Sequence, residues 1–235
     1  MTILSLFLAL AVTTVDLDMV TVPLSKEIKF VLTSGTPMGA RTEIRREGTV
    51  TGIKIEIDRV APPSSFGPTL NTYVVWAISP EGILDNLGEL EVKGGKGQFS
   101  ATTRFTQFGI LITAEPHYLV DRPSSAIAYR SQAPETDFRR KAVPIQVGAY
   151  DYSKLKPVSN AGVHSSVMQA RIAFEIAAAA GADSSAPAEF RAAEVAQGAM
   201  EEFVNRATPL DLLWPAANEA IRLSQQAAAA ARHTR

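Results

Sequence analysis

The chain up to residue 132 alternates between apolar and polar positions with a period of two. In residues 53–58, three isoleucines alternate with Lys, Glu and Asp, as in a strand buried on one face. Residues 72–79 and 109–114 are apolar on both faces, which is typical of a central strand. With the turn residues between such segments, the pattern predicts about seven or eight short antiparallel strands. We expect them to form a β-sandwich over residues 20–131, with a barrel as the alternative.

From residue 164 onward the pattern changes to one that is typical of helices. Alanine fills 22 of the 70 positions in residues 166–235, and apolar residues recur at heptad-like spacing. We expect an α-helical hairpin or a three-helix unit over residues 164–235, packed antiparallel through alanine. Because alanine buries little apolar area, such a unit is weakly held unless aromatic side chains anchor it.

Start and stop signals divide this helical region. Ser165 or Ser166 is the predicted cap of a first helix, which Gly181 ends. Pro187 is expected at the first position of the next helix, where its missing N–H costs nothing.

Thr208 and Pro209 repeat the arrangement of a cap followed by a proline, and they predict the start of a last helix. Pro215 is expected to kink that helix or to restart it. Its predicted apolar stripe comprises Leu210, Leu213, Ala217, Ala220, Ser224, Ala227 and Ala231.

Residues 132–163, between the two regions, are rich in proline and glycine and indicate a linker or an irregular clasp. Arg139, Arg140 and Lys141 lie in this stretch. Three adjacent basic residues are more typical of a solvated turn than of a binding patch.

The N-terminal residues 1–19 begin with an apolar run of ten residues, 3–12. Ten residues are too few to span a bilayer, which takes about 20. They suit the core of a signal peptide, and Ala9 and Ala11 have the small-x-small form of a cleavage site. No Lys or Arg precedes the run, so an apolar arm or a buried first strand is the alternative, and the protein would then be cytoplasmic. Export predicts a periplasmic, secreted or envelope location.

The amino-acid composition argues against several kinds of binding site and catalytic site. The 235 residues carry a net charge of −1, so the chain lacks the broad positive field that non-specific nucleic-acid binding needs. There is no cysteine, which excludes disulfides, thiolate metal sites and cysteine nucleophiles. The glycine-rich run at 94–97 lies between predicted strands and indicates a hairpin turn, not a phosphate-binding loop. His117 is expected at the surface, and His164 is expected at a helix start and not in a catalytic pair. We predict no catalytic, metal or cofactor residues.

Aromatic residues of the helical region are the candidate interaction residues. We name Trp214, Phe190 and Phe203, because an apolar residue before a proline, as at 214, can mark an interface. Trp76 lies on a predicted central strand and is expected in the core.

Three phrases of the chain resemble a known family. They are residues 73–90 (YVVWAISPEGILDNLGEL), 94–103 (GGKGQFSATT) and 108–116 (FGILITAEP). They are similar to the immunoglobulin-like N-terminal domain of a group of bacterial cell-envelope proteins. Residues 170–199 resemble the alanine-rich helical domain of unknown function that commonly follows it. Some of these proteins carry a C-terminal domain of the outer-membrane-protein-A type, which this sequence does not contain.

The resemblance implies a non-catalytic protein of the cell envelope or periplasm, without a cofactor. The partner would be a protein, an envelope component or a second copy of the chain. The sandwich would offer strand edges and loops, and the helices would act as a spacer or an oligomerisation surface. An alternative is a sensory extracytoplasmic domain like that of anti-sigma factors, which predicts a membrane-spanning segment. A third is an enzyme with a dispersed site.

Overall fold

The computed structural model describes residues 12–24, 27–33, 40–132, 141–158 and 162–234. The predicted signal segment at 1–11 and Arg139 and Arg140 lie outside them. The described strands are β1 (Thr13–Thr21), β2 (Glu27–Thr33), β3 (Ala40–Glu47), β4 (Val50–Ile57), β5 (Thr72–Ile78), β6 (Leu84–Glu89), β7 (Glu91–Lys93), β8 (Lys96–Thr103), β9 (Gln107–Glu115), β10 (Ile127–Gln132) and β11 (Lys141–Val147). The described helices are α1 (Ser165–Ala179), α2 (Ala182–Ser185), α3 (Pro187–Asn205) and α4 (Leu210–His233), with short 3-10 turns at Pro63–Ser65 and Tyr152–Lys154.

The prediction of antiparallel strands followed by helices is confirmed. Hydrogen bonds connect the strands in the order β11-β1-β9-β10-β2-β3-β4-β8-β7, and β5 pairs with β6 and β9 beside this path. The predicted hairpin at residues 94–97 is also confirmed, because Lys93 pairs with Lys96 across a two-residue turn. Gly94 and Gly95 both have positive φ there, which the turn requires and glycine permits.

The chain divides into two compact units. The strand unit comprises the described residues of 12–62, 73–114 and 121–151. The helical unit comprises those of 63–72, 115–120 and 152–234. The helical unit therefore includes two segments from within the range that the sequence predicted as sandwich.

The core of the strand unit follows the predicted pattern. The isoleucines of β4 are buried and its charged residues are exposed. Every residue of β5 is buried. Trp76 lies in the core as predicted, and its Nε1–H donates to Thr113 Oγ1 at 2.9 Å, which satisfies the indole donor.

The stretch 132–163 differs from the predicted linker, because it contains β11. This strand pairs antiparallel with β1 along its whole length. Ile145 and Val147 are buried while Ala142 and Gln146 are exposed, which is the alternation of a half-buried strand. Pro144 obscures the pattern in the sequence, because proline is rare within sheets except on edge strands.

The helical unit is built around α4, which packs against both α1 and α3. Only four residues, 206–209, connect α3 to α4, so these two helices are antiparallel neighbours. The three long helices, α1, α3 and α4, match the three-helix alternative of the prediction, and α2 is an additional helix of four residues. Its hydrophobic core, which we call the core cluster, comprises Val167, Ala170, Ala173, Met200, Leu213, Ala217, Ala220 and Ile221.

Helix boundaries confirm some of the predicted signals and correct others. Pro187 is the first residue of α3, as predicted. His164, not a serine, is the N-cap of α1. Pro209 is the N-cap of α4 and not its first helical residue, and α4 continues through Pro215 without a restart. Pro215 is the sixth residue of α4, so its missing N–H removes one hydrogen bond, the one to the Asp211 carbonyl.

Candidate functional site

Histidine and carboxylate side chains are the candidate metal ligands in the part of the chain that the structure describes. No group of three or more His, Asp or Glu residues there could hold a metal ion. His117 was expected at the surface, and this is wrong, because its side chain is only 1% exposed. Hydrogen bonds attach residues 115–120 to other residues of the helical unit. Asn71 N–H donates to the Glu115 carbonyl oxygen at 2.8 Å, and Tyr118 N–H donates to Gln169 Oε1 at 2.9 Å. His117 is thus a buried residue of the helical unit.

The structure does not bring the three predicted interaction residues together. Phe190 stacks on Phe174, with ring centroids 5.1 Å apart. Phe203 lies thirteen residues further along α3, about 20 Å at 1.5 Å per residue, and packs against the core cluster. Both are half-buried and anchor the helices, as the alanine-rich composition requires. Trp214 alone of the three is mostly exposed.

Trp214 belongs to a group of exposed apolar side chains at the start of α4. Leu210 is 47% exposed, Leu212 57% and Trp214 54%. Leu210 and Trp214 are four residues apart and share one side of α4, whereas Leu212, two residues from each, lies on the other side. We call Leu210 and Trp214, beside the corner between α3 and α4, the corner surface.

The corner surface continues the buried stripe of α4 beyond the helices that cover it. Leu210, Trp214, Ala217 and Ile221 follow one another at spacings of four, three and four, which places them along one side of α4. Ala217 and Ile221 are fully buried, whereas Leu210 and Trp214 are about half exposed. Of the seven residues of the predicted apolar stripe, Leu210 is exposed and the other six are buried.

Two ion pairs lie near the corner surface, and Asp211 lies in the same first turn of α4. Arg206 Nη2 lies 3.3 Å from Glu202 Oε2 at the end of α3. Further from the corner, Arg171 of α1 donates two hydrogen bonds to Glu201 of α3, Nε to Oε1 at 2.7 Å and Nη2 to Oε2 at 2.8 Å. Hydrogen bonding from Arg171 lowers the pKa of Glu201, and partial burial opposes this shift. No strong field of either sign therefore marks the corner surface.

The two ends of the strand path offer poor docking sites for a partner strand. β7 has three residues, all exposed. β11 has Pro144 in its centre, opposite Asp16 of β1, and proline supplies no N–H to a further strand. The helical corner is a further candidate for a contact surface.

The chain matches no protein-family model, no curated protein and no solved structure. In the described residues, no helix is long and apolar enough to cross a bilayer.

Sequence reasoning found Trp214 but missed Leu210 and Leu212 as exposed residues. The sequence carries one signal of this exposure. Thr208 and Pro209 end the connection from α3 directly before Leu210, so little of α3 can cover Leu210. The heptad-like spacing concealed this, since spacing shows which side of a helix is apolar but not where its cover ends.

Proposed function

We propose that this chain is a non-catalytic structural and interaction module of the bacterial cell envelope. Its strand unit would be an immunoglobulin-like β-sandwich, and its helical unit would contact a protein partner through the corner surface. The observation that carries the contact is Trp214, a large aromatic left half exposed on the same side of α4 as fully buried residues.

The chemistry of the corner surface favours a protein partner. Trp is among the residues most enriched at the energetic centres of protein interfaces. A stable interface buries about 800 Å² on each partner, which takes about 20–30 residues a side. Leu210 and Trp214 therefore suit the centre of a contact whose rim comes from neighbouring residues.

Two features support the sandwich. The strands are short and antiparallel, with half-buried alternation in β3 and β4. β5 and β9 are buried along almost their whole length, as expected of strands covered on both faces.

The envelope location is supported by the N-terminal sequence and by the family resemblance. The apolar run at residues 3–12 has the length of a signal-peptide core. β1 begins at Thr13, so cleavage after Ala11 would leave every described strand whole.

Capture from an envelope fraction tests the contact. We expect the full chain to retain an envelope protein that the Leu210→Ser, Trp214→Ala double variant does not retain. Val195→Ser is the matched control, because Val195 is also exposed but lies on α3 away from the corner surface. Equal retention by all three proteins would refute the corner surface as the contact.

Cell fractionation and the mass of the mature N-terminus test the location. We expect the protein in the envelope or periplasmic fraction, beginning at Val12. A cytoplasmic protein that still begins at Met1 would refute it.

A further inference from the structure

An exposed row of side chains on α4 begins beside the corner surface and combines an aromatic ring, an amide and two opposite charges. Spacings of three, four and four residues place its members along one side of the helix; they are Asp211, Trp214, Asn218 and Arg222. Asp211 is exposed, Asn218 is half-buried, and the Arg222 side chain is 46% exposed. We call these four residues the outer stripe. Trp214 lies where the outer stripe borders the buried side of α4.

The guanidinium of Arg222 is held in one orientation. Its Nε and Nη2 donate to the carboxylate of Glu219 at 2.8 and 2.6 Å. These bonds lie in the plane of the guanidinium, so its faces stay available for stacking on an aromatic ring. Trp214 of the same chain is eight residues away, about 12 Å along the helix, which exceeds the reach of about 6 Å for a cation–π contact. A ring over Arg222 therefore has to come from elsewhere.

The outer stripe is complementary to itself when two copies of α4 run antiparallel. With Asn218 on the two-fold axis, each Asn218 amide meets its own counterpart, and an amide offers both a donor and an acceptor. Trp214 and Arg222 are each four residues from Asn218. Each Trp214 would therefore lie opposite Arg222 of the second copy, and tryptophan is the best aromatic partner for a cation.

Charge favours the antiparallel direction over the parallel one. In the antiparallel pair, Asp211 lies within one helical turn of Arg222 of the second copy. At 1.5 Å per residue, the two Asp211 residues are about 21 Å apart along the axis and the two Arg222 residues about 12 Å apart. A parallel pair in register would instead set Asp211 against Asp211 and Arg222 against Arg222, and like charges in an interface are costly.

We propose that the helical unit binds a second copy of this chain through the outer stripe, with the two α4 helices antiparallel and Asn218 at the two-fold axis. The second copy is the partner in the contact proposed above, so this inference rests on that proposed function. The stripe covers only residues 211–222 of α4, whereas a stable interface uses about 20–30 residues a side. The dimer is therefore weak, with half-dissociation at about 10–100 μM.

Sedimentation equilibrium of the full chain, with a pair of charge variants, tests the direction of pairing. Arg222→Glu and Asp211→Arg should each weaken the dimer about tenfold, because each change sets like charges together at both ends of the pair. An equimolar mixture of the two variants should regain most of the wild-type affinity, because each introduced charge then meets its opposite. Mixing would not repair a variant that was merely misfolded.

Cysteine substitution locates the two-fold axis, since the wild-type chain has no cysteine. Under a mild oxidant, Asn218→Cys should form a disulfide-linked dimer about tenfold faster than Gln226→Cys. Gln226 is the matched control, because it is exposed on the same helix but would lie about 24 Å from its counterpart.

Three results would overturn self-pairing: the mass of a single chain at concentrations up to about 200 μM, no recovery of affinity in the mixture, or equal oxidation of the two cysteine variants. Failure of self-pairing is distinguishable from failure of the proposed function. A chain that stays monomeric, yet retains another envelope protein in a way that depends on Leu210 and Trp214, would refute self-pairing alone.

Discussion

The ion pair between Arg171 and Glu201 gives the sharpest prediction for the stability of the helical unit. The two side chains are 23% and 32% exposed and make two parallel hydrogen bonds. Breaking a fully buried pair costs about 3–5 kcal/mol, and an exposed pair contributes about 0–1 kcal/mol. For this intermediate burial we expect Glu201→Gln to lower the free energy of unfolding by about 2 kcal/mol. The coupling with Arg171→Met should be about 1–1.5 kcal/mol, because bidentate charged hydrogen bonds are stronger than neutral ones.

A double-mutant cycle measured by urea denaturation, with far-UV circular dichroism as the helical signal, gives this coupling. Its pH dependence has a definite sign. The pKa of Glu201 is lower in the folded chain than in the unfolded chain, where a glutamate titrates near about 4.3. The stabilisation is therefore fully present above about pH 5 and is lost as the pH falls through the folded pKa.

The pair Arg222 and Glu219 is the matched control. It also makes two hydrogen bonds, but it lies three residues apart on one exposed helix face, with side chains 46% and 50% exposed. Its coupling should be clearly smaller than that of Arg171 and Glu201. Equal couplings would show that partial burial does not strengthen the bidentate pair.

Three further substitutions test packing. Gly109→Ala would place a Cβ 2.5 Å from Leu17 Cδ2 and 3.0 Å from the Asp18 carbonyl oxygen. Urea denaturation should therefore show a free energy of unfolding that is lower by about 1–3 kcal/mol. Unchanged stability would contradict this close approach. Gly198→Ala meets nothing within 4 Å and should raise the thermal midpoint through a gain of about 1 kcal/mol; a lower midpoint would refute this. Ser224→Ala removes a buried hydroxyl that has no hydrogen-bond partner among the described residues. We expect the free energy of unfolding to rise by about 1 kcal/mol. A decrease would show that the hydroxyl makes a stabilising hydrogen bond.

The strands and helices that the sequence predicted well are those in which burial alone decides the pattern. The isoleucines of β4 and the stripe of α4 from Leu213 to Ala231 lie where period two and heptad-like spacing placed them. β1 and β11 were missed because each departs from a simple pattern. β1 directly follows an apolar run that resembles a signal segment, and Pro144 interrupts β11.

The candidate site was predicted less well, because exposure depends on tertiary cover. Leu210 and Leu213 look alike in the sequence, yet only Leu213 lies beneath neighbouring helices. His117 looked like a surface residue after a strand, but its segment folds into the helical unit. Local spacing carries no information on either outcome, since both depend on residues distant in sequence.

The fully buried alanines of α4, namely Ala217, Ala220, Ala227, Ala228 and Ala231, restrict how this protein can vary. Any larger side chain at these positions would force helix axes apart, because alanine is the smallest residue that keeps good helix propensity. The outward positions of α4 carry no such restriction. Substitution can therefore change the outer surface of α4 while the interior of the helical unit stays fixed.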